Sequence, residues 1–400
     1  MSRSTTVDVL VVGAGPAGVA AALAAHRRGL STLAVDRVTF PRDKTCGDGL
    51  TAGALRAYEQ LGFDPSALAE YEPVSTAMLR SPSTRVVALP LPRDGEFAGV
   101  VTRAALDSAF VDHARARGIE VRDGVGMTDG EGDREQVTAV LDDGSTLRSR
   151  FVIAADGHYS PVRRIFDPHR RADIGTWHAQ RQYFTGVEDP RLWVLFEPDL
   201  LPGYAWVFPL PDRRANVGFG VRRAPATHGR QLAAHWRALL DSPTLRAVVG
   251  SNAKAEGAPR AWPIPTGYRP DALTSGRVLF AGDAARVVDP MTGEGIAQAL
   301  TTGVLAAEAI AAGGDTTAVG VRYRHTVDRA LGTDLRFADV LGTILRSPRG
   351  ARFAVRAAGM SGWTRRNFAR WMFEDYPRAI LLTPGRWHRR MLHGGGAYRR

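Results

Sequence analysis

The sequence of 400 residues predicts an α/β fold in which strands deliver glycine-containing turns to a bound ligand. Three segments support this prediction, because each is a short apolar run, typical of a buried strand, that is followed at once by a turn containing glycine. The turns occupy residues 13–18, 154–157 and 282–283. Together they indicate a nucleotide-binding protein, and the first and last turns decide which nucleotide.

The first turn reads Gly13-Ala14-Gly15-Pro16-Ala17-Gly18 and lies between the apolar run 7–12 and an alanine-rich run that ends before Gly29. This order predicts strand, tight turn and helix, in which the glycines let a pyrophosphate approach the backbone and the helix N-terminus favours its charge. A second apolar run ends at Asp36, where a carboxylate can accept hydrogen bonds from a ribose. The residues expected to bind a dinucleotide, NAD or FAD on this motif alone, are Gly13, Gly15, Pro16, Ala17, Gly18, Asp36 and Arg37.

The late turn favours FAD. The apolar run 278–281 reads as a strand that brings Gly282 and Asp283 to its carboxyl end, where an acid can bond a polyol such as the ribityl chain. Beyond Pro290, the run 293–300 starts a helix whose free N–H groups would stabilise negative charge on a reduced flavin ring. We therefore expect FAD, held here by Gly282, Asp283, Pro290, Gly293, Gly295 and Ile296.

The three turns stand in the order found in one flavoprotein group. From about residue 7 to 310, the chain resembles the FAD-dependent oxidoreductases that include aromatic hydroxylases, flavin-dependent halogenases and geranylgeranyl reductases. The resemblance implies that Asp156 and Gly157 contact the cofactor. It also implies that Arg103, at the start of a helix after the strand 100–101, contacts FAD near its phosphate and ribityl region. A surface helix arginine is the alternative.

Two motifs favour the geranylgeranyl reductase branch. The first is the run 40–50, with Cys46-Gly47-Asp48-Gly49 at its centre, and the second is Tyr204-x-Trp206-x-Phe208-Pro209 followed by Gly218-x-Gly220. The resemblance implies that Cys46, Gly47, Asp48 and Gly49 lie at the flavin and that Tyr204, Trp206 and Phe208 wall the substrate cavity. Plain core packing is the alternative for the three aromatic residues, which share one strand face.

The chemistry implied is hydride transfer from reduced flavin to a prenyl C=C bond, together with protonation of the other carbon. Cys46 is a candidate proton donor or hydrogen-bond donor, and a small buried residue is the alternative. Aromatic faces would stabilise a tertiary cation. The electron donor is left open between NAD(P)H and a reduced carrier protein.

Other activities remain open alongside prenyl reduction. A flavin monooxygenase or halogenase would act on a small aromatic metabolite, and a halogenase would need Lys44 or Lys254, the two lysines of the chain, near its substrate. A flavin-binding membrane scaffold without turnover is the third hypothesis.

The motifs predict a discontinuous, Rossmann-like FAD-binding domain with an inserted antiparallel-sheet substrate domain and a helical C-terminal tail. We assign residues 1–75, 98–165 and 273–345 to the first, 76–97 and 166–272 to the second, and 346–400 to the tail. Aromatic, alternating runs near residues 181–184, 193–196, 204–208 and 216–220 predict the strands of the inserted sheet.

The charge of the chain is concentrated in the tail. Residues 346–400 contain 13 arginines and two acids, which equals the whole net charge of +11, and aromatic residues are interleaved with the arginines. An anionic membrane surface is one expected partner, and packing of the aromatics on the body is the alternative. Nucleic acid is not the expected partner.

Composition limits the remaining classes. A single cysteine excludes an intramolecular disulfide framework and a clustered cysteine metal site, and we expect no metal. The first predicted strand begins within a few residues of Met1, so we expect a cytoplasmic protein, peripheral at the inner face of the membrane if the tail binds lipid. The most apolar stretch, residues 296–312, contains too many polar residues to span a bilayer.

Overall fold

The computed structural model of the chain describes residues 5–169, 175–223, 229–387, 391 and 394–399. Parts of each predicted region lie outside the described residues. They are residues 1–4 of the cofactor domain, 170–174 and 224–228 of the substrate domain, and 388–390, 392–393 and 400 of the tail, which include Arg389, Arg390 and Arg400.

Strands and helices alternate along the first part of the chain, and helices dominate the last. The strands are β1 Thr5–Val12, β2 Thr32–Asp36, β3 Gly49–Thr51, β4 Glu72–Pro73, β5 Thr76–Arg80, β6 Val86–Pro90, β7 Ala98–Val100, β8 Glu120–Asp123, β9 Met127–Gly132, β10 Val137–Leu141, β11 Thr146–Ala154, β12 Trp177–Thr185, β13 Leu192–Leu195, β14 Tyr204–Leu210, β15 Arg214–Arg222, β16 Lys254–Ile264, β17 Thr274–Ser275 and β18 Val278–Phe280. The helices are α1 Pro16–Arg27, α2 Ala52–Gln60, α3 Arg103–Arg115, α4 Pro161–Phe166, α5 Gly229–Asp241, α6 Pro243–Val249, α7 Ile296–Ala311, α8 Thr316–Val327, α9 Thr333–Leu345, α10 Pro348–Ala358 and α11 Gly362–Met372.

The first sheet confirms the predicted α/β class. Its order is β17-β18-β11-β1-β2-β8, and the pairs β18–β11, β11–β1, β1–β2 and β2–β8 are parallel. The hairpin of β9 and β10 extends it from β11. Residues 9–12 of β1 are all buried, as expected for a central strand covered on both faces. The three predicted turns follow β1, β11 and β18, so the parallel register brings them to one edge.

A second sheet stands apart from the first in the order β16-β12-β15-β14-β13-β5-β6. Its pairs are antiparallel except β13–β5, which is parallel. The parallel pair joins two distant parts of the chain, because the β5–β6 hairpin precedes the other strands of this sheet by about 90 residues or more. A small sheet, β3-β7-β4, lies beside these two. The domain boundaries predicted from the sequence remain a proposal.

Helix α7 starts later than the glycine pattern predicts, at Ile296 rather than near Gly293. The reason is a tight turn made by Asp289, whose Oδ1 accepts hydrogen bonds from the N–H groups of Met291 and Thr292 at 2.8 and 3.0 Å. Gly293 then adopts a φ of +75°, which a helix does not permit. The loop 289–295 is therefore a defined turn and not the first turn of the helix.

Helices α1 and α7 pack face to face behind the turns, and a glycine permits their close approach. A Cβ placed on Gly303 of α7 would lie 2.1 Å from the carbonyl oxygen of Ala17 in α1. This contact fixes the position of α7 relative to the first glycine turn. The two helices therefore pack in close backbone contact behind the turns.

The C-terminal segment packs on the second sheet along one face. Val355, Ala358, Ala369 and Phe373 join a buried cluster with residues of β5 and β6. Other side chains of the segment are exposed, among them Trp363 at 67%. The structure thus shows part of the tail packed on the body and part facing solvent. Among the described residues, no helix is long and apolar enough to cross a membrane.

We predict opposite effects for two helical Gly→Ala substitutions. Gly303→Ala should lower the free energy of unfolding by about 1–3 kcal/mol, because the new methyl group meets the α1 backbone. Gly342→Ala in α9, where a Cβ would meet nothing within 4 Å, should raise it by about 0.5–1 kcal/mol. Thermal unfolding of both variants measures the difference, and equal shifts would contradict the close approach of α1 and α7.

Candidate functional site

A large cleft lies where the three glycine turns meet the second sheet. It encloses about 2030 Å³ of empty space, its open mouth included. Most of the residues expected from the sequence line it: Gly13, Gly15, Pro16, Ala17, Asp36, Arg37, Cys46, Gly47, Gly49, Arg103, Asp156, Gly157, Tyr204, Trp206, Phe208, Gly282, Asp283, Gly293, Gly295 and Ile296. Gly18, Asp48 and Pro290 are not on its wall.

The first turn is held by the acid at the end of β2. Gly13 has a φ of +99°, a conformation that favours glycine. The Oδ2 of Asp36 accepts a hydrogen bond from the N–H of Ala14 at 2.7 Å, and its Oδ1 accepts one from Val38 at 3.0 Å. Asp36 therefore fixes the turn itself as well as facing the cleft.

The cleft fits FAD in three respects that the structure shows directly. The N-cap residues of helices α1 and α7, Gly15 and Gly295, provide no side-chain cap, so the N–H groups of the first turns are available to an anionic ligand. Seven other helices carry a side-chain cap, among them α2 and α3. The Oδ1 of Asp156 is buried without a hydrogen-bond partner in the described structure.

Two arginines meet one carboxylate beside the first turn. Arg103, at the start of α3, donates from Nε and Nη2 to Asp107 at 2.8 and 2.7 Å. Arg42 pairs with the same carboxylate, with Nη1 3.2 Å from Oδ2. A Cβ on Gly15 would lie 3.3 Å from Nη2 of Arg42. Arg42 was not expected to be a site residue from the sequence. The only sequence feature that could have indicated it is its position in the run that leads to Cys46.

A lysine reaches the late turn. The Nζ of Lys44 lies 3.5 Å from Oδ2 of Asp283 and 5.6 Å from the centre of the Trp262 ring. Both Lys44 and Asp283 line the cleft. The carboxylate expected to bond a ribityl chain is thus paired with a cation in this structure.

The loop that carries Cys46 is anchored on the second sheet through Asp48. Asp48 is fully buried and accepts hydrogen bonds at Oδ2 from Tyr183 Oη at 2.7 Å and from Asn216 Nδ2 at 2.8 Å. Burial raises its pKa to about 6, against the two hydrogen bonds, which lower it. The Asp48 side chain therefore points away from the cleft and supports the loop. Burial also raises the pKa of the Cys46 thiol.

The three aromatic residues of β14 form one connected row. The ring centres of Tyr204 and Trp206 are 6.1 Å apart, and those of Trp206 and Phe208 are 6.0 Å apart. Trp206 Nε1 donates to Asn216 Oδ1 at 2.9 Å, which fixes the indole. The Phe208 ring lies 3.3 Å from the place of a Cβ on either Gly47 or Gly49, so larger residues in the loop would displace it.

A second cavity shares residues of this row with the cleft and encloses about 1070 Å³ of empty space, its open mouth included. It is lined by Thr51, Leu79, Leu192, Val194, Phe196, Tyr204, Phe208, Met291, Thr292, Glu294, Leu341, Ile344, Leu345, Ala354, Val355, Phe368, Trp371, Met372 and Phe373. Five residues line both spaces: Tyr204, Phe208, Met291, Thr292 and Glu294. Sequence reasoning missed this cavity, because its walls come from β5, β13, β14, α9, α10 and α11, which are distant in the chain.

Glu294 is the ionisable carboxyl group between the two spaces. Its Oε1 lies 3.9 Å from the place of a Cβ on Gly49. Burial raises the pKa of Glu294 to about 8, and the neighbouring Glu374 adds to the rise, against Arg378, which lowers it. In the sequence, the only feature that could have indicated Glu294 as a site residue is its position between Gly293 and Gly295.

Behind Glu294, a buried ion pair joins the loop 289–295 to the C-terminal segment. Arg378 Nε lies 3.0 Å from Asp289 Oδ2, and both side chains are at most 3% exposed. Glu374 accepts hydrogen bonds from Thr51 Oγ1 at 2.7 Å and from Gln298 Nε2 at 2.8 Å. Residues from four separate parts of the chain thus hold the wall between the spaces.

Comparison with known proteins agrees with the geometry. A family model described as an FAD binding domain matches residues 6–191. The chain is 33% identical over 390 residues to a protein named menaquinone reductase from Mycolicibacterium smegmatis, covering 89% of this chain and 92% of the relative. It is 33% identical over 313 residues to digeranylgeranylglycerophospholipid reductase 1 from Methanopyrus kandleri, covering 75% and 79%.

Solved structures share the fold. A geranylgeranyl bacteriochlorophyll reductase-like protein from Thermoplasma acidophilum superposes with a TM-score of 0.77 at 23% identity, covering 96% of this chain and 99% of that one. The flavin-dependent halogenase CmlS superposes with a TM-score of 0.70 at 23% identity, covering 96% and 77%. The fold alone therefore does not separate reductases from halogenases. The sequence relatives do, and this chain belongs to the geranylgeranyl reductase family of FAD-dependent oxidoreductases.

Proposed function

We propose that the protein is an FAD-dependent reductase that saturates prenyl C=C bonds of an isoprenoid lipid or of a quinone side chain. The observation that carries this proposal is the apolar cavity that shares Tyr204, Phe208 and Glu294 with the flavin cleft as lining residues. A hydrocarbon chain in that cavity would lie against residues that also line the cleft. The names of the two relatives refer to a prenylated quinone and to a geranylgeranyl lipid.

The chemistry of the cavity wall fits a hydrocarbon better than a polar metabolite. Apart from Thr51, Tyr204, Thr292 and Glu294, the described residues that line it are apolar. Tyr204 donates its hydroxyl to the carbonyl oxygen of Thr292, which leaves mainly its ring for the ligand. Burial of apolar surface would supply the binding energy, at about 25 cal/mol for each Å² removed from water.

We propose that the cleft-lining residues hold FAD in the manner expected from the sequence. The uncapped N-terminus of α1 and the guanidinium of Arg42 would face the pyrophosphate, and the N-terminus of α7 would face the ring. Bound FAD, when reduced, supplies a hydride. The two proposed electron donors, NAD(P)H and a reduced carrier protein, are distinguished by which of them bleaches the oxidised flavin.

The side chains of the chain itself would orient the prenyl group and protect a developing cation. Tyr204, Trp206 and Phe208 present a row of aromatic faces at the boundary between the two spaces. Trp206 is fixed by its hydrogen bond to Asn216, so the row is preorganised. Cys46 lies on the cleft wall, which supports the proposal that it stands beside the reacting bond.

In the described part of the chain, no contact of the two lysines specifically favours the halogenase or monooxygenase alternative. Lys44 is paired with Asp283 in the cleft, and Lys254 is exposed at the start of β16. Neither lysine lines the apolar cavity, so a substrate there would meet neither amine.

We further propose that an anionic membrane delivers the lipid. The C-terminal apolar surface is formed by exposed side chains on and after the helices that line the cavity: Val340, Ile344, Phe353, Met360, Trp363, Leu381, Leu382 and Trp387. Exposed arginines lie among them, including Arg349, Arg352 and Arg356. Such a combination favours the interface of an anionic bilayer.

We predict that Arg42→Met weakens FAD binding by roughly 10- to 100-fold, because a charge-assisted hydrogen bond contributes about 1.5–3 kcal/mol. Arg103 still neutralises Asp107, so the fold should persist. Titration of the apoprotein with FAD, followed by flavin fluorescence, gives the dissociation constants. The matched control is Arg122→Met, which removes a surface pair with Glu120. Equal affinity for both variants would refute the role of Arg42.

The proposed reduction is tested under anaerobic conditions with dithionite-reduced protein and a prenylated quinone or a geranylgeranyl lipid. We expect flavin absorbance to return while the lipid gains two hydrogens in mass. Reoxidation only after air is admitted would contradict the reductase proposal and favour oxygen chemistry.

A variant in which the apolar cavity is filled tests whether the lipid binds there in the same experiment. Ala354→Trp, which fills the apolar cavity from α10, should slow reoxidation by about tenfold or more, since it removes at least about 1.4 kcal/mol of binding energy. FAD content should be unchanged. Ala357→Trp on the same helix does not line the cavity and serves as the control.

We predict that the double substitution Leu381→Ser and Leu382→Ser weakens binding to anionic liposomes by about 100-fold, because two exposed leucines lose their transfer energy of about 1.5 kcal/mol each. These side chains are 83% and 65% exposed, so stability should change little. Co-sedimentation measures binding, and Val321→Ser, at an exposed position on α8, is the control. Equal binding by both proteins would refute the membrane proposal.

A further inference from the structure

Reduction of an isoprenoid double bond needs a proton as well as a hydride. The bond carries no electron-withdrawing group, so it accepts hydride only when a proton adds to its other carbon. A proton donor must therefore reach the place where the apolar cavity meets the flavin cleft. It must also carry its proton at neutral pH, in a site with little water.

Glu294 occupies that place. It lines both spaces, and no other carboxyl group among the described residues lines the apolar cavity. Its Oε1 and the Phe208 ring lie 3.9 and 3.3 Å from the place of a Cβ on Gly49, so the carboxyl group stands near the Phe208 end of the aromatic row. The described structure shows no hydrogen bond or ion pair to the Glu294 carboxyl group, although its backbone is bonded to Asp289 and Thr292. The group is thus free to face a ligand.

Other acids near the boundary are less suited to the task. Tyr204 already donates to the Thr292 carbonyl, and burial raises its pKa. Asp48 points into the second sheet, where Tyr183 and Asn216 bind it. Glu374 lines neither space and accepts hydrogen bonds from Thr51 and Gln298. The thiol of Cys46, whose pKa burial raises, lines the cleft but not the apolar cavity.

Glu294 keeps its proton because of its surroundings. Four titratable or charged groups face it from the elements packed around it: Tyr204 on β14, Asp289 in its own loop, and Glu374 and Arg378 in the C-terminal segment. Burial raises its pKa to about 8, and the like charges of Glu374 and Asp289 add to that rise, whereas Arg378 opposes it. Arg378 is already engaged by Asp289 at 3.0 Å.

We propose that Glu294 is the general acid that protonates the prenyl double bond at the boundary of the two spaces. This inference rests on the proposed reductase function. It assigns to Glu294 the role for which Cys46 was the sequence candidate. Cys46 is then left as a neighbour on the cleft wall.

The step balances in atoms and electrons. The π pair of the C=C bond forms a C–H bond with the proton of Glu294, and the O–H bond breaks. The tertiary carbon then accepts the hydride from reduced flavin, so the lipid gains two hydrogens while the flavin is oxidised. The carboxylate left at Glu294 recovers a proton from water.

The test compares the wild-type protein with Glu294→Gln as FAD-loaded proteins. We expect the variant to bind and retain FAD normally and to be reduced normally by dithionite. Its reoxidation by a geranylgeranyl lipid should be slower by about 10²-fold or more, the usual contribution of a positioned acid. In the wild-type protein, the rate should fall as pH rises through about 8, because the acid form is lost.

The neighbouring carboxyl group provides a matched control. In Glu374→Gln the amide oxygen can accept from Gln298 and the amide N–H can donate to the Thr51 hydroxyl, but the substitution removes a charge that raises the pKa of Glu294. We expect this variant to turn over, with the falling limb of its rate profile moved to lower pH. Loss of the limb in Cys46→Ser and its retention in Glu294→Gln would overturn the inference in favour of the thiol.

A readout without substrate tests the proton on Glu294 separately. The carboxyl group has a higher pKa in the folded protein than its ordinary 4.5, so the folded state binds more protons between about pH 4.5 and 8, and its stability falls as pH rises through that range. Glu294→Gln should lose less stability there, and its Tm relative to wild type should increase with pH.

The possible outcomes distinguish the role of Glu294 from the reductase function. Wild-type turnover with an equally fast Glu294→Gln protein, or a Tm difference that does not change with pH, would refute the role of Glu294 and leave the reductase function standing. Absence of reoxidation in the wild-type protein would refute the proposed function, and the role of Glu294 with it.

Discussion

The buried ion pair between Asp289 and Arg378 is the interaction on which the candidate site depends. Asp289 holds the loop 289–295 through its other carboxylate oxygen, and Arg378 ties that loop to the C-terminal segment. A buried pair of this kind is not a large net source of stability, but leaving either charge alone would be costly. The pair therefore fixes a geometry: it places Glu294 and Thr292 between the flavin cleft and the apolar cavity.

The two spaces differ in the chemistry of their walls, and the difference follows from their origin in the fold. The cleft lies at the carboxyl edge of a parallel sheet, where turns and helix N-termini present N–H groups suited to a charged dinucleotide. The apolar cavity lies between a second sheet and C-terminal helices, which contribute hydrocarbon side chains. The proposed reaction between a polar cofactor and a lipid needs such a boundary, and Tyr204, Phe208 and Glu294 line both spaces.

Particular residues show which features of the site could be predicted from the sequence and which could not. The turn at Gly13, the acid at Asp36 and the turn at Gly282 were predictable because each depends on a local strand-turn-helix pattern. Asp48 was expected at the cofactor, but its partners Tyr183 and Asn216 lie on distant strands and turn it away from the cleft. Arg42 was missed for the same reason, since its partner Asp107 lies one helical turn inside α3.

The sequence by itself determined the fold class, the FAD expectation and the aromatic row of β14, because these depend on periodicity and on spacing within short segments. Only the tertiary structure decided that the C-terminal segment closes an apolar cavity and that Glu294 stands between two spaces. The reason is physical: the protonation of a carboxyl group and the shape of a cavity depend on burial and on charges brought from distant parts of the chain, and no local pattern encodes them.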